Sequence, residues 1–262
     1  MKRILITGSD SYIGTSFEKY IKDSFADQYM VDVVDMVDDS WRGKNFGEYD
    51  SILHVAAYTH QKETKRNSHL FFEVNRDLTI ETALKAKNEG ARQFIFLSSF
   101  SVYGMDTGVI RRSTKPNPVS DYGKSKLQAE DSIIWLSSSS FKICILRLPN
   151  VYGIRCKGDY RILDDYVRKH FFFPKISNQR TALHIDELVK LIKTVVDKGL
   201  SGLFLPQNDE RVKTIDLAKK VAEREHKKLY FSYLLALVVV LLMPFVKTLR
   251  RLFGNLTYIS ND

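Results

Sequence analysis

A short apolar strand that runs directly into a glycine turn and then a helix is the sequence feature that most constrains the fold of this chain. The strand is Lys2–Thr7, the turn begins at Gly8, and the apolar spacing becomes helical from Ser11 to about Lys22. A strand, a turn and a helix in this order begin the repeating unit of a parallel sheet, because parallel strands need crossover connections. The same alternation is therefore expected further along the chain.

Strands and helices do alternate over the following residues. Apolar runs typical of strands cover 29–35, 51–57, 93–99 and 141–148. Helical spacing covers 67–88, which Gly90 closes, and 120–136, whereas 36–50 leaves room for only a rudimentary crossover. The order predicts an α/β fold with a doubly wound parallel sheet and helices on both faces.

The alternation changes after Gly153. Helical segments are predicted near 162–170, 185–198 and 214–225, with a short strand at 203–205 and an apolar run near the C-terminal end. No repeat or Pro/Gly linker divides this part further. We expect one domain over 1–153 and a compact, mainly helical, ligand-binding region over 154–262, close to the sheet edge where open α/β sheets bind ligands.

Composition narrows the class of protein. With 44% hydrophobic and 27% charged residues, the chain of 262 residues is typical of a folded globular protein. Two cysteines without a Cys-x-x-Cys partner and the absence of a secretory signal indicate the reducing cytoplasm. The net charge of +9 comes largely from 211–251, which argues against a nucleic-acid enzyme. The six scattered histidines show no metal-ligand spacing, so no metal is expected.

The turn after the first strand has the chemistry of a dinucleotide site. Gly8 and Gly14 permit close approach of a pyrophosphate to the N–H groups at a helix start, with Ser11 in the middle glycine position. Asp35 ends the second strand 21 residues after Gly14, close to the spacing of an acid that binds the adenosine ribose. Because Met36 rather than an arginine follows, the sequence favours NAD over NADP.

A second group of residues suits proton transfer. Tyr122 and Lys126 are four residues apart at the start of a predicted helix, so they share one face, and Ser99 ends the preceding strand. A tyrosine that acts near pH 7 needs its pKa lowered by about three units from about 10, and a nearby ammonium can supply this stabilisation.

These motifs coincide in order and spacing, and together they resemble the extended short-chain dehydrogenase/reductases. The resemblance is to the NAD-dependent epimerase/dehydratase branch, in particular the UDP-sugar 4-epimerases of bacterial surface-polysaccharide biosynthesis. It covers about residues 1–190 and rests on eight segments: TGSDSYIG, VDVVDM, ILHVAA, FFEVN, FIFLSSFSVYG, PNPVSDYGKSKLQAE, LRLPNVYG and RTALHIDEL. Residues 200–262 are similar more loosely.

The resemblance implies a Rossmann-type fold and a role for each matching residue. Tyr122 would be the acid/base, Ser99 would bind the reacting sugar hydroxyl, and Lys126 would hold the nicotinamide ribose. The substrate diphosphate would contact Asn150, near the end of the Rossmann domain, and Arg180, in the region that follows it. The residues implied to bind NAD, together with Tyr122 and Lys126, are Gly8, Ser11, Tyr12, Ile13, Gly14, Asp35, Ala56, Ala57, Tyr58, Asn75, Ser98 and Pro149.

The residues after Ser99 bear on which reaction of this branch is expected. Phe100 and Ser101 stand where dehydratases of the branch have an Asp-Glu pair, which disfavours water elimination. Asp35 followed by Met36 speaks against an NADPH-dependent reductase. Epimerisation of a nucleotide sugar through a transient 4-keto sugar is therefore expected. The family resemblance implies a UDP-hexose as the substrate and a homodimer as the assembly. A 4-keto-reductase or dehydrogenase and a non-catalytic NAD-binding relative remain as alternatives.

The apolar run Phe231–Val246 allows two interpretations. At 16 residues, with Pro244 inside it, the run is shorter than the ~20 that span a bilayer. It would be either a core helix with solvated basic flanks, or a partly exposed helix that makes peripheral contact with an anionic membrane. The flanking bases are Lys227, Lys228, Lys247, Arg250 and Arg251.

Overall fold

The computed structural model describes residues 1–208 and 210–259, which form two compact units. Unit 1 comprises Met1–Gly104, Pro116–Pro149 and Ile185–Pro206, and unit 2 comprises the other described residues. The chain therefore passes between the units five times, whereas the sequence analysis expected one boundary after residue 153. The difference arises because residues 185–206 add a helix and an edge strand to the sheet of unit 1.

The strands and helices are numbered along the chain. The strands are β1 Lys2–Thr7, β2 Tyr29–Val34, β3 Ser51–His54, β4 Gln93–Ser99, β5 Gly108–Arg111, β6 Lys142–Leu148, β7 Asn150–Tyr152, β8 Phe172–Pro174, β9 Ala182–His184, β10 Gly202–Phe204, β11 Tyr230–Ser232 and β12 Leu256–Ile259. The α-helices are α1 Tyr12–Ser24, α2 Ser68–Phe72, α3 Leu78–Glu89, α4 Asp121–Ile133, α5 Asp159–Lys169, α6 Ile185–Lys198, α7 Thr214–Arg224, α8 Tyr233–Leu242 and α9 Lys247–Phe253.

Unit 1 is built on a six-stranded sheet in the order β10-β6-β4-β3-β1-β2, and every neighbouring pair in it is parallel. Side chains alternate between the two faces of a strand. Leu5 therefore packs with residues of α3 and α4, such as Ala83 and Ala129, whereas Ile6 lies against the start of α1 at Gly14. The predicted fold class, a doubly wound parallel sheet with helices on both faces, is confirmed.

The order of the strands fixes where the sheet can bind a ligand. The chain leaves β1 toward β2 on one side and then crosses to β3 on the other, so β1 and β3 are neighbours at a switch point. The connection between β2 and β3 contains only two short 3₁₀ turns, Asp39–Gly43 and Phe46–Glu48, as expected for a rudimentary crossover. Their Trp41 and Phe46 are buried against the sheet.

The long helix predicted over 67–88 is divided in the structure. α2 and α3 are separated by a π-helical segment, Glu73–Asp77, and Gly90 ends α3 with a φ of +95°. A π-helical turn inserts one extra residue into the helix and is frequent at functional sites. Apolar periodicity does not reveal it, because the turn changes the hydrogen bonding and keeps the helical path.

Unit 2 contains three two-stranded parallel pairs, β5 with β12, β7 with β9, and β8 with β11. Its helices are α5, α7, α8 and α9. Ion pairs between Asp164 and Arg224 and between Arg168 and Glu225 connect α5 to the end of α7. In neither unit does a described helix have the length and apolar character needed to cross a membrane.

Candidate active site

The turn after β1 is pressed against the loop that follows β3. Gly8 has a φ of +114°, and a Cβ atom there would lie 2.8 Å from the backbone nitrogen of Ala56. Gly14 is also tightly packed, since its Cβ would lie 3.1 Å from side-chain atoms of Ile6 and Val55. Gly8 is therefore required by backbone conformation and packing, and the two glycines bring the start of α1 to the carboxyl ends of β1 and β3.

Ser11 is the N-cap of α1. Its Oγ accepts a hydrogen bond from the Gly14 N–H at 3.3 Å, so the serine in the middle glycine position stabilises the helix start. The hydroxyl hydrogen remains a possible donor to a phosphate. Tyr12 and Ile13 form the first turn of α1, where backbone N–H groups have no acceptor within the helix. This turn has the chemistry of a pyrophosphate cradle.

Asp35 lies directly after β2 and its side chain is exposed. One carboxylate oxygen accepts a hydrogen bond from the Val37 N–H at 3.0 Å. No basic residue in the described part of the chain forms an ion pair with this carboxylate, and the neighbouring Met36 is buried. The site therefore suits a ribose with free hydroxyls, because a 2′-phosphate would meet a negative charge without a cation.

The loop after β3 is held by Asn75, which lies in the π-helical segment. Asn75 is 0% exposed, and its Oδ1 accepts from the Tyr58 N–H at 2.8 Å. Its Nδ2 donates to the Tyr58 carbonyl at 3.0 Å and to Ser125 Oγ at 3.2 Å. Asn75 therefore positions Tyr58, and with it Ala56 and Ala57, and its predicted role in cofactor binding stays a prediction.

The turn that follows β4 contacts the start of α4 at Gly123. Ser99 Oγ accepts from the Ser101 N–H and donates to Ser101 Oγ, both at 3.1 Å. A Cβ on Gly123 would lie 2.5 Å from the Ser101 carbonyl oxygen, so the serine turn touches the first turn of α4. Ser120 caps this helix by accepting from the Gly123 N–H. Ser99 and Tyr122 are consequently carried by two backbone segments in direct contact.

Lys126 is buried one turn after Tyr122 on α4. The lysine is 2% exposed, and its Nζ donates to the Leu97 carbonyl of β4 at 3.0 Å and lies 4.6 Å from the Phe96 ring centroid. Burial lowers the pKa of Lys126 to about 7, although Glu130 on the next turn favours the charged form. The half-buried Tyr122 ring packs edge-on against Phe71. An ammonium that has lost its water needs further acceptors, which ribose hydroxyls could provide.

A buried ion pair beside Lys126 is a feature that the sequence analysis missed. Glu130 accepts from Arg147 Nη2 at 2.6 Å, and Arg147 also donates to the Tyr103 hydroxyl at 3.0 Å. Ser98 is buried with its hydroxyl donating to Glu130, and its predicted contact with the cofactor stays a prediction. The available clue was an arginine within the apolar strand KICILRL, since a buried charge requires a partner.

The remaining predicted residues lie at the end of β6 and in unit 2. Pro149 follows β6 in unit 1. In unit 2, Asn150 Nδ2 donates to Asp159 at 3.4 Å. Arg180 is 5% exposed, and its Nη1 donates to the Gly254 carbonyl at 2.7 Å and, more weakly, to the Arg250 carbonyl. In this structure the Arg180 guanidinium therefore holds the C-terminal segment, and its predicted contact with a diphosphate stays a prediction.

The histidines and acids of the described residues form no metal centre. Over residues 1–208 and 210–259, no three side chains of His, Cys, Asp or Glu are grouped so that they could hold an ion. Of the histidines, His54 lies at the end of β3 but is buried and bonded through its ring nitrogens to the hydroxyls of Thr7 and Thr79. It therefore ties strands and helix together.

Comparison with known proteins places this arrangement in a family. The sequence profile of the NAD dependent epimerase/dehydratase family matches residues 4–203. The chain is 30% identical over 246 residues to a UDP-glucose 4-epimerase of Vibrio cholerae, covering 84% of this chain and 75% of that protein. Three other curated relatives are matched over 47% to 62% of their lengths.

Two solved structures show the same fold at low identity. A UDP-glucuronic acid 4-epimerase from Bacillus cereus in complex with NAD superposes with a TM-score of 0.72 at 17% identity, covering 98% of this chain and 88% of that one. A dTDP-4-dehydrorhamnose reductase from Yersinia enterocolitica gives 0.72 at 20% identity, with 99% and 91% covered. The fold places the chain in the class of Rossmann-type α/β proteins. Within that class, it belongs to the NAD-dependent epimerase/dehydratase family, which confirms the expected resemblance and NAD as the cofactor.

Proposed function

We propose that the protein is a nucleotide-sugar 4-epimerase that uses NAD and acts on a UDP-hexose. The observation that carries this proposal is the arrangement at the start of α4, where Tyr122 precedes the buried Lys126 by one turn and Gly123 contacts the turn of Ser99. The identity to a relative named UDP-glucose 4-epimerase supports the choice of reaction and of nucleotide.

Each of these side chains has a distinct task in the proposed reaction. Tyr122 removes the proton from the sugar 4-hydroxyl and later returns it, while Ser99 holds that oxygen by a hydrogen bond. Lys126 binds the nicotinamide ribose and stabilises the phenolate of Tyr122 by its charge. A bound NAD would supply the hydride chemistry, namely acceptance of the hydride of the sugar C4 and its return. Inversion follows if the 4-keto sugar presents its opposite face before the hydride returns.

The environment of Ser99 supports epimerisation over dehydration. Phe100 is buried and its ring packs edge-on against Tyr103 at 6.0 Å between centroids. Ser101 uses its N–H and its hydroxyl on Ser99. Neither residue is an acid that could protonate a leaving hydroxyl at C6. The exposed Asp35, without a basic partner in the described residues, supports NAD over NADP.

The proposal is tested by incubating the purified protein with UDP-glucose, UDP-galactose and their N-acetyl and uronic acid counterparts. We expect one pair to interconvert, as followed by NMR of the sugar ring protons, without a net change in nicotinamide absorbance. Steady consumption of NADH with a 4-keto sugar would instead indicate a reductase. A preference for NADP over NAD by more than about tenfold would contradict the role given to Asp35.

A further inference from the structure

The outer face of α8 is an apolar surface exposed to solvent. We call it the α8 surface and define it by Leu234, Leu237, Val238, Leu241 and Phe245, which include side chains that are 71% (Leu234) and 84% (Phe245) exposed. No charged residue occurs between Leu229 and Val246. The interpretation of this run as a core helix is therefore wrong, since only Ala236 of α8 is buried.

One narrow side of α8 nevertheless packs against other residues of unit 2. Leu235, Ala236, Val239 and Met243 recur at helical spacing and are the less exposed positions, and α8 follows directly from β11, which pairs with β8. A surface helix normally presents polar residues on its outer face. Here that face is apolar. Two further exposed aromatic side chains, Phe172 of β8 and Tyr230 of β11, lie with their ring centroids 5.8 Å apart.

Unpaired positive charges border this surface. Lys228 and Lys247 are exposed just before Tyr230 and just after Val246, and Lys175 bonds the Tyr233 hydroxyl at 2.8 Å. None of these three lysines forms an ion pair with any residue of the described ranges. The other flanking bases are engaged: Lys227 donates to backbone carbonyls, and Arg250 and Arg251 pair with acids.

We propose that the α8 surface docks the protein on an anionic lipid membrane, with α8 lying in the plane of the interface. Apolar side chains that enter the acyl boundary and lysines that meet anionic headgroups are the two attractions that hold such helices. The ten residues of α8 rise about 15 Å, half the hydrocarbon thickness, which fits a helix lying on the membrane.

Charge favours a lipid surface over a second copy of this chain. In a two-fold dimer, the same patch on both subunits would face itself. The lysines that border one patch, Lys175, Lys228 and Lys247, would then face the lysines that border the other, and like charges repel. An anionic bilayer supplies the opposite charge. The inference concerns a surface within unit 2 and holds whether or not the proposed epimerase reaction is correct.

The first test is sedimentation with vesicles of phosphatidylcholine alone or mixed with phosphatidylglycerol. We expect the protein to sediment with the mixed vesicles at low salt and less at physiological salt, because salt screens the lysines. The double variant Leu234→Glu/Leu241→Glu should bind at least about tenfold more weakly, with unchanged thermal stability because both side chains point outward. Ile162→Glu, at an exposed position of α5, is the matched control and should bind like the parent.

The second test separates charge from apolar insertion. Lys228→Gln/Lys247→Gln should weaken binding to the mixed vesicles about 25-fold, at about fivefold for each lysine near an anionic surface. Lys198→Gln/Lys220→Gln removes two exposed lysines elsewhere and should have little effect. The proposal is overturned if the parent stays in the supernatant at low salt. It is also overturned if sedimentation velocity shows self-association that the leucine variant abolishes while neither protein binds vesicles.

Discussion

The hydroxyl of Tyr122 is the group on which we expect turnover to depend. Tyr122→Phe removes one oxygen from a half-buried ring that packs against Phe71, so the fold and NAD binding should be retained. Turnover should fall by about 10²- to 10⁴-fold, the usual contribution of a positioned acid–base group. Tyr20→Phe makes the same change on α1 and should leave the rate unaltered. A Tyr122→Phe rate within about tenfold of the parent would mean that another base operates.

The buried ammonium of Lys126 should make NAD affinity depend on pH. In the free protein, burial lowers the pKa of Lys126 to about 7, so above this pH the amine is mostly neutral. If the ribose hydroxyls bind the ammonium, NAD binding takes up a proton there, and the Kd should rise with pH, by up to about tenfold per unit. Calorimetric titrations between about pH 6 and pH 9 in buffers of different ionisation enthalpy measure both the Kd and the proton uptake.

Lys126→Met is the comparison that assigns this pH dependence. The variant should bind NAD more weakly at the lower pH and lose the slope, because no titrating group remains at the position. Equal affinities of the parent protein across the same range would argue that Lys126 does not bind the cofactor as an ammonium.

Among the helices and strands, the site depends on the contact between the serine turn that follows β4 and the first turn of α4. A Cβ at Gly123 would lie 2.5 Å from the Ser101 carbonyl, so Gly123→Ala should push the serine turn away from Tyr122. We expect a stability loss of about 1–3 kcal/mol and a rate loss approaching 10²-fold from the displaced groups. Gly43→Ala is the matched control, since nothing lies within 4 Å of its added Cβ. Unchanged turnover in Gly123→Ala would show that this contact does not position the site.

The elements that carry the site could be predicted because local rules dominate there. The bounds of β1, β4 and α6 are those predicted, because an apolar run or stripe with clear ends leaves few alternatives for where a strand or helix begins and ends. The π-helical segment could not be predicted, because its residue Asn75 is held by hydrogen bonds with Tyr58, 17 residues away in the sequence. The hydrogen bond from Ser98 to Glu130 could not be predicted either, because it forms only when α4 packs on the sheet.

At the scale of the whole molecule, the sequence pattern predicted the strands of the sheet but not which residues belong to each of the two compact units. Residues 105–115 join unit 2 because β5 pairs with β12, some 150 residues later. Residues 185–206 join unit 1 because β10 pairs with β6. Such long-range pairings depend on tertiary contacts that periodicity does not encode. Likewise, the net charge of +9 does not show which basic side chains form ion pairs. In the described residues Arg250 and Arg251 pair with acids, whereas Lys228 and Lys247 do not.

The stability of the whole protein should fall in acid partly because of His54. Its ring is buried between the hydroxyls of Thr7 and Thr79 and stacks on Phe94, and burial lowers its pKa to about 3 from the usual 6.5. Between these values the unfolded chain binds a proton that the folded protein does not. As pH falls from about 6.5 to about 3, the free energy of unfolding should therefore drop by up to about 1.4 kcal/mol per pH unit from this group alone.

Urea unfolding at several pH values measures this dependence. The slope of the free energy of unfolding against pH should be smaller by about one proton in His54→Gln, whereas His69→Gln, whose ring is exposed, should keep the parent slope. Should His54→Gln fail to fold, NMR of the parent decides the point, because a His54 ring that protonates near its usual pKa would contradict the prediction.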